Sequence, residues 1–206
     1  MNIVIFGPPG AGKGTQSNFI VNKFNLHQLS TGDLLRKEIK DQTKLGNEIS
    51  SIINSGNLVS DQIVSDLIEK YISNSIYKNR LIFDGYPRNL NQAKNLNSLL
   101  IKHDQKIDAV LKLSVSLKTI KKRISERKNL ENRADDNEEI AIKRYLMYEK
   151  NIDPVINFYK ETNLLKVING ETSISEISDE ISRLIKSIKG WLWEIRQYKY
   201  AVKEIH

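Results

Sequence analysis

Cysteine is absent from the 206-residue sequence. This absence excludes a disulfide-stapled fold, a cysteine nucleophile and any metal site with cysteine ligands. Long hydrophobic runs are absent as well, and the apolar run Ile3 to Phe6 ends at a glycine-rich turn. That run is too short for a signal peptide, and no later stretch approaches the length that spans a membrane. We therefore expect a cytoplasmic protein that does not bind membranes.

The composition is that of a globular domain rather than of a disordered chain. Hydrophobic residues make up 39% of the sequence, enough for a core, and the length predicts one globular unit. The 32 Lys and Arg residues exceed the 25 Asp and Glu residues, which gives a net charge of +7. Most of these cations are lysines scattered over predicted helix faces, and they do not form a stripe with interleaved aromatic residues. We therefore expect no nucleic-acid partner.

Short apolar runs alternate with helical patterns along the chain. This alternation predicts an α/β fold with a parallel sheet covered by helices on both faces, a three-layer α/β/α architecture. The predicted strands are 2–6, 27–29, 81–83, 108–113 and 164–168. The predicted helices include 13–24, 31–41, 44–54, 60–73, 91–102 and 117 to about 127. A further helix is predicted to begin at a capping box formed by Asp136 and Glu139 and to break at Asp153 and Pro154, and the last predicted helix starts at Ser173.

Two segments do not fit the alternation of strands and helices. Residues 30–59 contain helices with no strand between them, and residues 128–135 are polar and without periodicity. We interpret both as excursions from the sheet domain, the first large and the second small. The sequence has no internal repeat and no low-complexity linker.

The most specific local pattern is Gly7-Pro8-Pro9-Gly10-Ala11-Gly12-Lys13-Gly14-Thr15, which follows a predicted strand and opens a helix. This is the phosphate-binding loop pattern in the context that it requires. Its glycines let backbone N–H groups surround a phosphate, and the lysine reaches the outer phosphates. Gly14 stands where the general pattern has Ser or Thr, which disfavours a switch-type GTPase.

From this loop onward the sequence resembles the nucleoside monophosphate kinases, and the adenylate kinase family most of all. The motifs occur in the family's order over about residues 1–188 and are jointly highly specific. They are Ser30 to Arg36, Gly56 to Asp61, Phe83 to Arg88 with Gln92, Arg123 and Arg127, Arg133 to Asp136, and Arg144.

The resemblance implies a P-loop kinase fold with a helical insertion that binds the nucleoside monophosphate (NMP) and a short lid that closes over ATP. The implied core comprises residues 1–29, 60–126 and 136–189. The NMP-binding part is 30–59, the short lid is 127–135, and residues 190–206 are a helical C-terminal extension. The lid has no metal-binding cysteine insertion, so we expect no structural zinc.

The resemblance also implies the reaction, the reversible Mg²⁺-dependent transfer ATP + AMP = 2 ADP, and with it the partners ATP, AMP and ADP. The implied catalytic residues are Lys13, Arg88, Arg123, Arg127, Arg133 and Arg144. The implied ATP-binding residues are Gly10, Ala11, Gly12, Lys13, Gly14, Thr15, Arg127 and Thr172. The implied AMP-binding residues are Thr31, Arg36, Asn57, Leu58, Val59, Gly85, Tyr86, Pro87, Arg88, Gln92, Arg133 and Arg144. Asp84, at the end of a buried strand, is expected to organise waters around Mg²⁺.

The charges of the motif residues match this chemistry. Six of the nine arginines fall on family motif positions. Two facing nucleotides bring about six negative charges, because the second ionisation of a phosphate lies near pH 6. The six arginines, Lys13 and Mg²⁺ supply positive charge of that size once Asp33, Asp84, Asp135 and Asp136 are counted against them.

Three alternatives stay open at the level of sequence. Asn89 replaces the usual Thr or Ser after Pro87-Arg88, a feature shared with UMP/CMP kinases, whereas Thr31 and Gln92 favour AMP. A nucleotide-binding sensor or nucleic-acid binder on the same scaffold is the non-enzymatic alternative. Finally, apolar positions 174, 177, 181, 184, 188, 191, 195, 198, 202 and 205 form a heptad stripe. This stripe either packs on the chain's own sheet domain or lets residues 190–206 pair with another chain; we expect a monomer.

Overall fold

The computed structural model describes residues 1–131 and 138–203, and side chains within 1–126 and 139–188. Its centre is a five-stranded parallel sheet in the order β2-β3-β1-β4-β5. The strands are β1 (Ile3–Phe6), β2 (His27–Ser30), β3 (Leu81–Asp84), β4 (Ala109–Ser114) and β5 (Leu165–Asn169).

Helices connect the strands and cover the sheet. They are α1 (Lys13–Phe24), α2 (Thr31–Lys40), α3 (Lys44–Asn54), α4 (Asp61–Ile72), α5 (Leu90–Lys102), α6 (Leu117–Glu131), α7 (Glu138–Lys160) and α8 (Ile174–Lys203), with a short 3-10 helix at Ser75–Tyr77. Most of these bounds lie within two residues of those predicted, because hydrophobic periodicity and capping residues act locally.

The strands bury alternate residues on opposite faces. In β1, Val4 and Phe6 belong to a core shared with α4, α5 and α7, whereas Ile3 and Ile5 belong to a core shared with α1 and α8. All four side chains are at most 3% exposed. A sheet buried on both sides requires a helical layer on each face, so the predicted three-layer α/β/α fold is confirmed.

The predicted break at Asp153 and Pro154 is wrong, because α7 continues through Pro154 to Lys160. Proline inside a helix removes one hydrogen bond and costs about 3 kcal/mol. On either side of it, Ile152, Val155 and Tyr159 are at most 4% exposed in the core beneath the sheet. Their burial offsets the cost of the proline, which sequence periodicity alone does not reveal.

Helix α6 is also longer than predicted, and its described part reaches Glu131, beyond the predicted end near Arg127. Residues 128–131, polar apart from Leu130, are therefore helical, and no apolar periodicity marked them as such. Residues 132–137 lie outside the described part of the chain, and with them Arg133 and Asp136 of the predicted lid and capping box.

The long helix α8 continues through Gly190 to Lys203. Ile177, Ile181 and Ile185 of its apolar stripe are at most 3% exposed and pack in the core with α1. From Ile177 to Ile188 the stripe therefore packs on its own sheet, as the first alternative states, whereas Ile174 at its start is exposed. Side chains beyond residue 188 are outside the described part, so pairing through 190–206 stays a prediction. Within the described ranges, no helix combines the length and apolar character needed to span a bilayer.

The helices α2 and α3 pack closely against each other at Gly46. A Cβ added there would lie 2.0 Å from the carbonyl oxygen of Glu38. Glycine at this position therefore lets α3 approach the end of α2, and Thr43 caps α3 through the Gly46 N–H at 2.9 Å.

We expect Gly46→Ala to destabilise the protein by about 3 kcal/mol, since backbone must move to admit the methyl group. Thermal unfolding would show this as a fall in Tm of several degrees. Gly14→Ala is the matched control, because a Cβ there meets nothing within 4 Å. A Gly46→Ala variant as stable as the wild type would contradict the close approach.

Candidate active site

The predicted phosphate loop connects β1 to α1 at the carboxyl ends of the central strands. Gly12 precedes α1 in the left-handed conformation, with φ of 93°, which favours glycine. Gly10 has φ of 82°, and a Cβ there would lie 3.0 Å from the side chain of Ile124. Other residue types would be strained by the positive φ at both positions, and at Gly10 a side chain would also crowd Ile124.

The side chain of Lys13 folds back over the loop. Its Nζ donates hydrogen bonds to the carbonyl oxygens of Gly7 at 2.7 Å and Pro8 at 3.1 Å. The ammonium is thus held over the space that the loop encloses, where an anion would meet it.

Asp84 ends β3 beside the phosphate loop. It pairs in register with Ile5 of β1, two residues before Gly7, and is 7% exposed. Gln28 Nε2 donates to its Oδ2 at 2.8 Å. Mg²⁺ prefers oxygen ligands and keeps several waters, so a single carboxylate beside a phosphate loop suits it. Among the described side chains, no group of three or more His, Cys, Asp or Glu residues could hold a metal by itself.

A first cavity lies between α2, the end of α3 and the loop after β3. It contains about 570 Å³ of space, part of it open to solvent. Nine of the twelve predicted AMP-binding residues line it: Thr31, Arg36, Asn57, Leu58, Val59, Gly85, Arg88, Gln92 and Arg144.

The remaining three predicted AMP-binding residues lie elsewhere. Pro87 lines a second cavity, and Arg133 is outside the described residues. The Tyr86 side chain is a core residue, 1% exposed, and its burial raises the pKa of its hydroxyl.

The second cavity adjoins the first and contains about 640 Å³ of space, part of it open to solvent. Lys13 and the loop residues Gly7 and Pro9 line it. Arg88 and Arg144 line both cavities. The structure thus brings the loop lysine and two predicted catalytic arginines to one junction. Arg36 lines only the first of these two cavities.

Short contacts hold the walls of the first cavity. Thr31 Oγ1 donates to the Gly85 carbonyl at 3.0 Å, and Arg88 Nε donates to the same oxygen at 2.7 Å. Arg36 forms an ion pair with Asp33 one turn away. The cavity therefore carries guanidinium groups oriented by the backbone and by a carboxylate.

Arg123 lies at the other side of the phosphate loop. Its guanidinium donates to the carbonyls of Ala11 at 3.3 Å and Gly170 at 2.8 Å, which ties the loop to the segment before α8. Glu171 accepts from Thr119 and from the Ser116 backbone, and these hydrogen bonds lower the pKa of its carboxyl, with a smaller contribution from the Arg123 charge. Thr172 follows in the same segment. Neither Arg123 nor Thr172 lines the two cavities, and the side chain of Arg127 is outside the described part.

Besides Ile5, Phe6 and Ile152, sequence reasoning missed two further lining residues of the second cavity, Met147 and Tyr148. They follow Arg144 by three and four positions on α7, so they share its helix face. This spacing from Arg144 is the only sequence signal for the two residues. The same spacing is typical of a helix face that packs in the core, and Tyr148 packs partly against the core.

Comparison of the sequence with known proteins shows the family of this chain. The sequence model of the family described as "Adenylate kinase" matches residues 5–164. Among curated proteins, an adenylate kinase of Pelagibacter ubique is 42% identical over 212 aligned residues, which cover 90% of this chain and 100% of the relative. An adenylate kinase of Porphyromonas gingivalis is 38% identical (92% and 97% covered), and one of Fusobacterium nucleatum is 36% identical (90% and 98% covered). With a family match over most of its length and relatives covered almost end to end, the chain belongs to the adenylate kinase family, and it is a phosphotransferase.

Proposed function

We propose that this adenylate kinase transfers the γ-phosphoryl group of ATP to AMP where its two cavities meet. The observation that supports this most is that Arg88 and Arg144 line both cavities, while Lys13 also lines the second. Phosphoryl transfer needs donor and acceptor in line and their charges neutralised, and a junction of two anion-binding cavities serves both needs.

In the proposed reaction, a phosphate oxygen of AMP attacks the γ-phosphorus while the bond from that phosphorus to the β–γ bridging oxygen breaks. Two ADP molecules result. We propose that Lys13 and the loop N–H groups hold the donor phosphates, and that Arg88 and Arg144 offset charge on the transferred group. The same role for Arg127 and Arg133, and closure of residues 127–135 over ATP, stay predictions.

We propose that residues 30–59 bind AMP, with Arg36 and Arg88 on its phosphate and Thr31 and Gln92 near its base. We assign the donor side to Gly10 through Thr15, with Arg123 and Thr172 at its rim. That the enzyme acts as a monomer stays a prediction.

We propose that Mg²⁺ accompanies ATP and that Asp84 holds it through water. When bound, the ion neutralises charge on the phosphate oxygens. The protein itself contributes one carboxylate, that of Asp84 at the end of β3, which pairs in register with the strand that leads into the phosphate loop.

An acceptor panel tests the proposal. With ATP and Mg²⁺, we expect AMP to be phosphorylated with a kcat/KM at least about a hundredfold above that of UMP or CMP, which is the discrimination of about 2.7 kcal/mol that a few polar contacts supply. Coupled measurement of ADP formation provides the rates. A preference for UMP or CMP would support the pyrimidine kinase alternative, which the comparisons do not favour, and no transfer to any acceptor would support a sensor.

A further inference from the structure

A hydrogen-bond network connects the start of α4 to the start of α5 beside the first cavity. Its centre is the carboxylate of Asp61, the first residue of α4. Asn89 Nδ2 donates to both carboxylate oxygens, at 3.0 and 3.1 Å, and Gln92 Nε2 donates to Oδ1 at 2.7 Å. The function described so far assigns no role to Asp61.

The same network holds both ends of the Gln92 side-chain amide. While Nε2 donates to Asp61, Oε1 accepts from the backbone N–H of Arg88 at 2.7 Å. Gln92 is 3% exposed and lines the first cavity. Its amide is thus fixed between two partners at the wall where the base of AMP is expected.

Neither partner tolerates a reversed amide. A carboxylate only accepts hydrogen bonds and a backbone N–H only donates them. A flip of Gln92 would place its oxygen against the Asp61 carboxylate and its NH₂ group against the Arg88 N–H. Both contacts would become repulsive, so the orientation follows from chemistry.

A fixed amide can select a base. Each polar atom of the Gln92 amide can make one more hydrogen bond besides the one described: Nε2 has a second N–H to donate, and Oε1 has a second lone pair to accept with. Adenine offers the complementary pair, an amino group that donates and a ring nitrogen that accepts. Hypoxanthine and uracil offer the reverse, a carbonyl and a ring N–H, and would need the flipped amide. Cytosine has the same pattern as adenine, so this feature does not exclude it.

We propose that Asp61 is a specificity-determining positioning residue, which fixes the Gln92 amide so that the acceptor site takes 6-aminopurine over 6-oxopurine monophosphates. This inference rests on the proposed function, since it concerns the acceptor site of that reaction. Asn89 supports it by holding the carboxylate with two hydrogen bonds and by capping α5, where its Oδ1 accepts from the Gln92 N–H at 2.8 Å. Asn89, which stands where the family usually has Thr or Ser, is thus part of the network that favours 6-aminopurines over 6-oxopurines.

The test compares AMP with inosine monophosphate, which differs from AMP only in the groups that Gln92 would read. Asp61→Asn keeps the size of the side chain but can donate as well as accept, so the flipped amide becomes tolerable at that end. We expect the ratio of kcat/KM for AMP to that for inosine monophosphate to fall at least about tenfold. The KM for ATP should stay within about twofold.

Asp66→Asn is the matched control. Asp66 lies on the same helix, is exposed, and accepts from Gln62 Nε2 at 2.7 Å, so the change removes the same charge and a similar contact. We expect its ratio to equal that of the wild type. Asp61 lies in the first turn of α4, where its negative charge stabilises the helix. Thermal unfolding of both variants measures how much stability is lost with that charge.

The possible outcomes separate this inference from the proposed function. If Asp61→Asn lowers the rates with both acceptors equally, or leaves the ratio unchanged, Asp61 has only a structural role and the inference is overturned. The same holds if the wild type transfers to both acceptors equally well. If the wild type transfers to neither, and calorimetry detects no binding of AMP, the proposed function itself fails.

Discussion

Replacing Lys13 by methionine is expected to lower kcat by about a thousandfold or more, which corresponds to about 4 kcal/mol of transition-state stabilisation. The ammonium is held over the phosphate loop by the carbonyls of Gly7 and Pro8 and lines the second cavity. Methionine fills similar space without charge, so the donor phosphates would lose their fixed cation. Steady-state rates of ADP formation measure the effect.

Lys23→Met is the control for this variant. Lys23 lies in the last turn of the same helix and is exposed, with its ammonium 5.0 Å from the centre of the Phe19 ring. We expect its kcat to stay within about twofold of the wild type, since surface substitutions have small effects. A Lys13→Met enzyme that is folded by circular dichroism and turns over at a near-normal rate would remove Lys13 from the reaction.

Arg88→Ala is expected to lower kcat by about a hundredfold to a thousandfold and also to raise the KM for AMP. Arg88 lines both cavities, so it can contact the AMP phosphate in the ground state and the transferred group in the transition state. A loss in kcat together with a rise in KM would reflect both contacts. Arg88→Lys should recover only part of the rate, because lysine keeps the charge but not the planar fork.

Arg80→Ala is the matched control for Arg88→Ala. Arg80 also donates to a backbone carbonyl, that of Asn25, but it precedes β3 at the opposite end of the strand from Arg88. The Arg80→Ala substitution therefore removes the same positive charge as Arg88→Ala, but at a position away from the two cavities. If both alanine variants lose activity to the same degree, net charge rather than the position of Arg88 explains the loss.

Local sequence patterns predicted most helices and strands, and for a physical reason. Turn residues, capping residues and the period of apolar positions act within a few residues, so the bounds of α1 and α3 were predicted exactly. Pro154 shows the limit of this reasoning. Its local preference against a helix is outweighed by burial of Ile152, Val155 and Tyr159 against other elements, which no local window contains.

Sequence predicted the parts of the candidate site that consist of local motifs. It did not predict the parts that depend on contacts between residues far apart in the chain. The sequence motifs predicted the phosphate loop and twelve AMP-binding residues, and nine of those twelve line one cavity, although their contact with AMP stays a prediction. The attachment of Arg123 to the Gly170 carbonyl, 47 residues away, was not predicted. Nor was the Asp61 contact to Gln92, which joins the ends of two helices 31 residues apart.

By itself, the sequence determined the class of the fold, the phosphate loop and the set of cations available to two nucleotides, because these depend on residue type and short-range spacing. The tertiary structure alone decided which of those cations meet. Arg88 and Arg144 come from a loop and a helix far apart in the chain, and they reach the same pair of cavities because the sheet and α7 pack against each other. It also decided how the Gln92 amide is oriented, because that depends on a carboxylate and a peptide N–H facing it from two different elements.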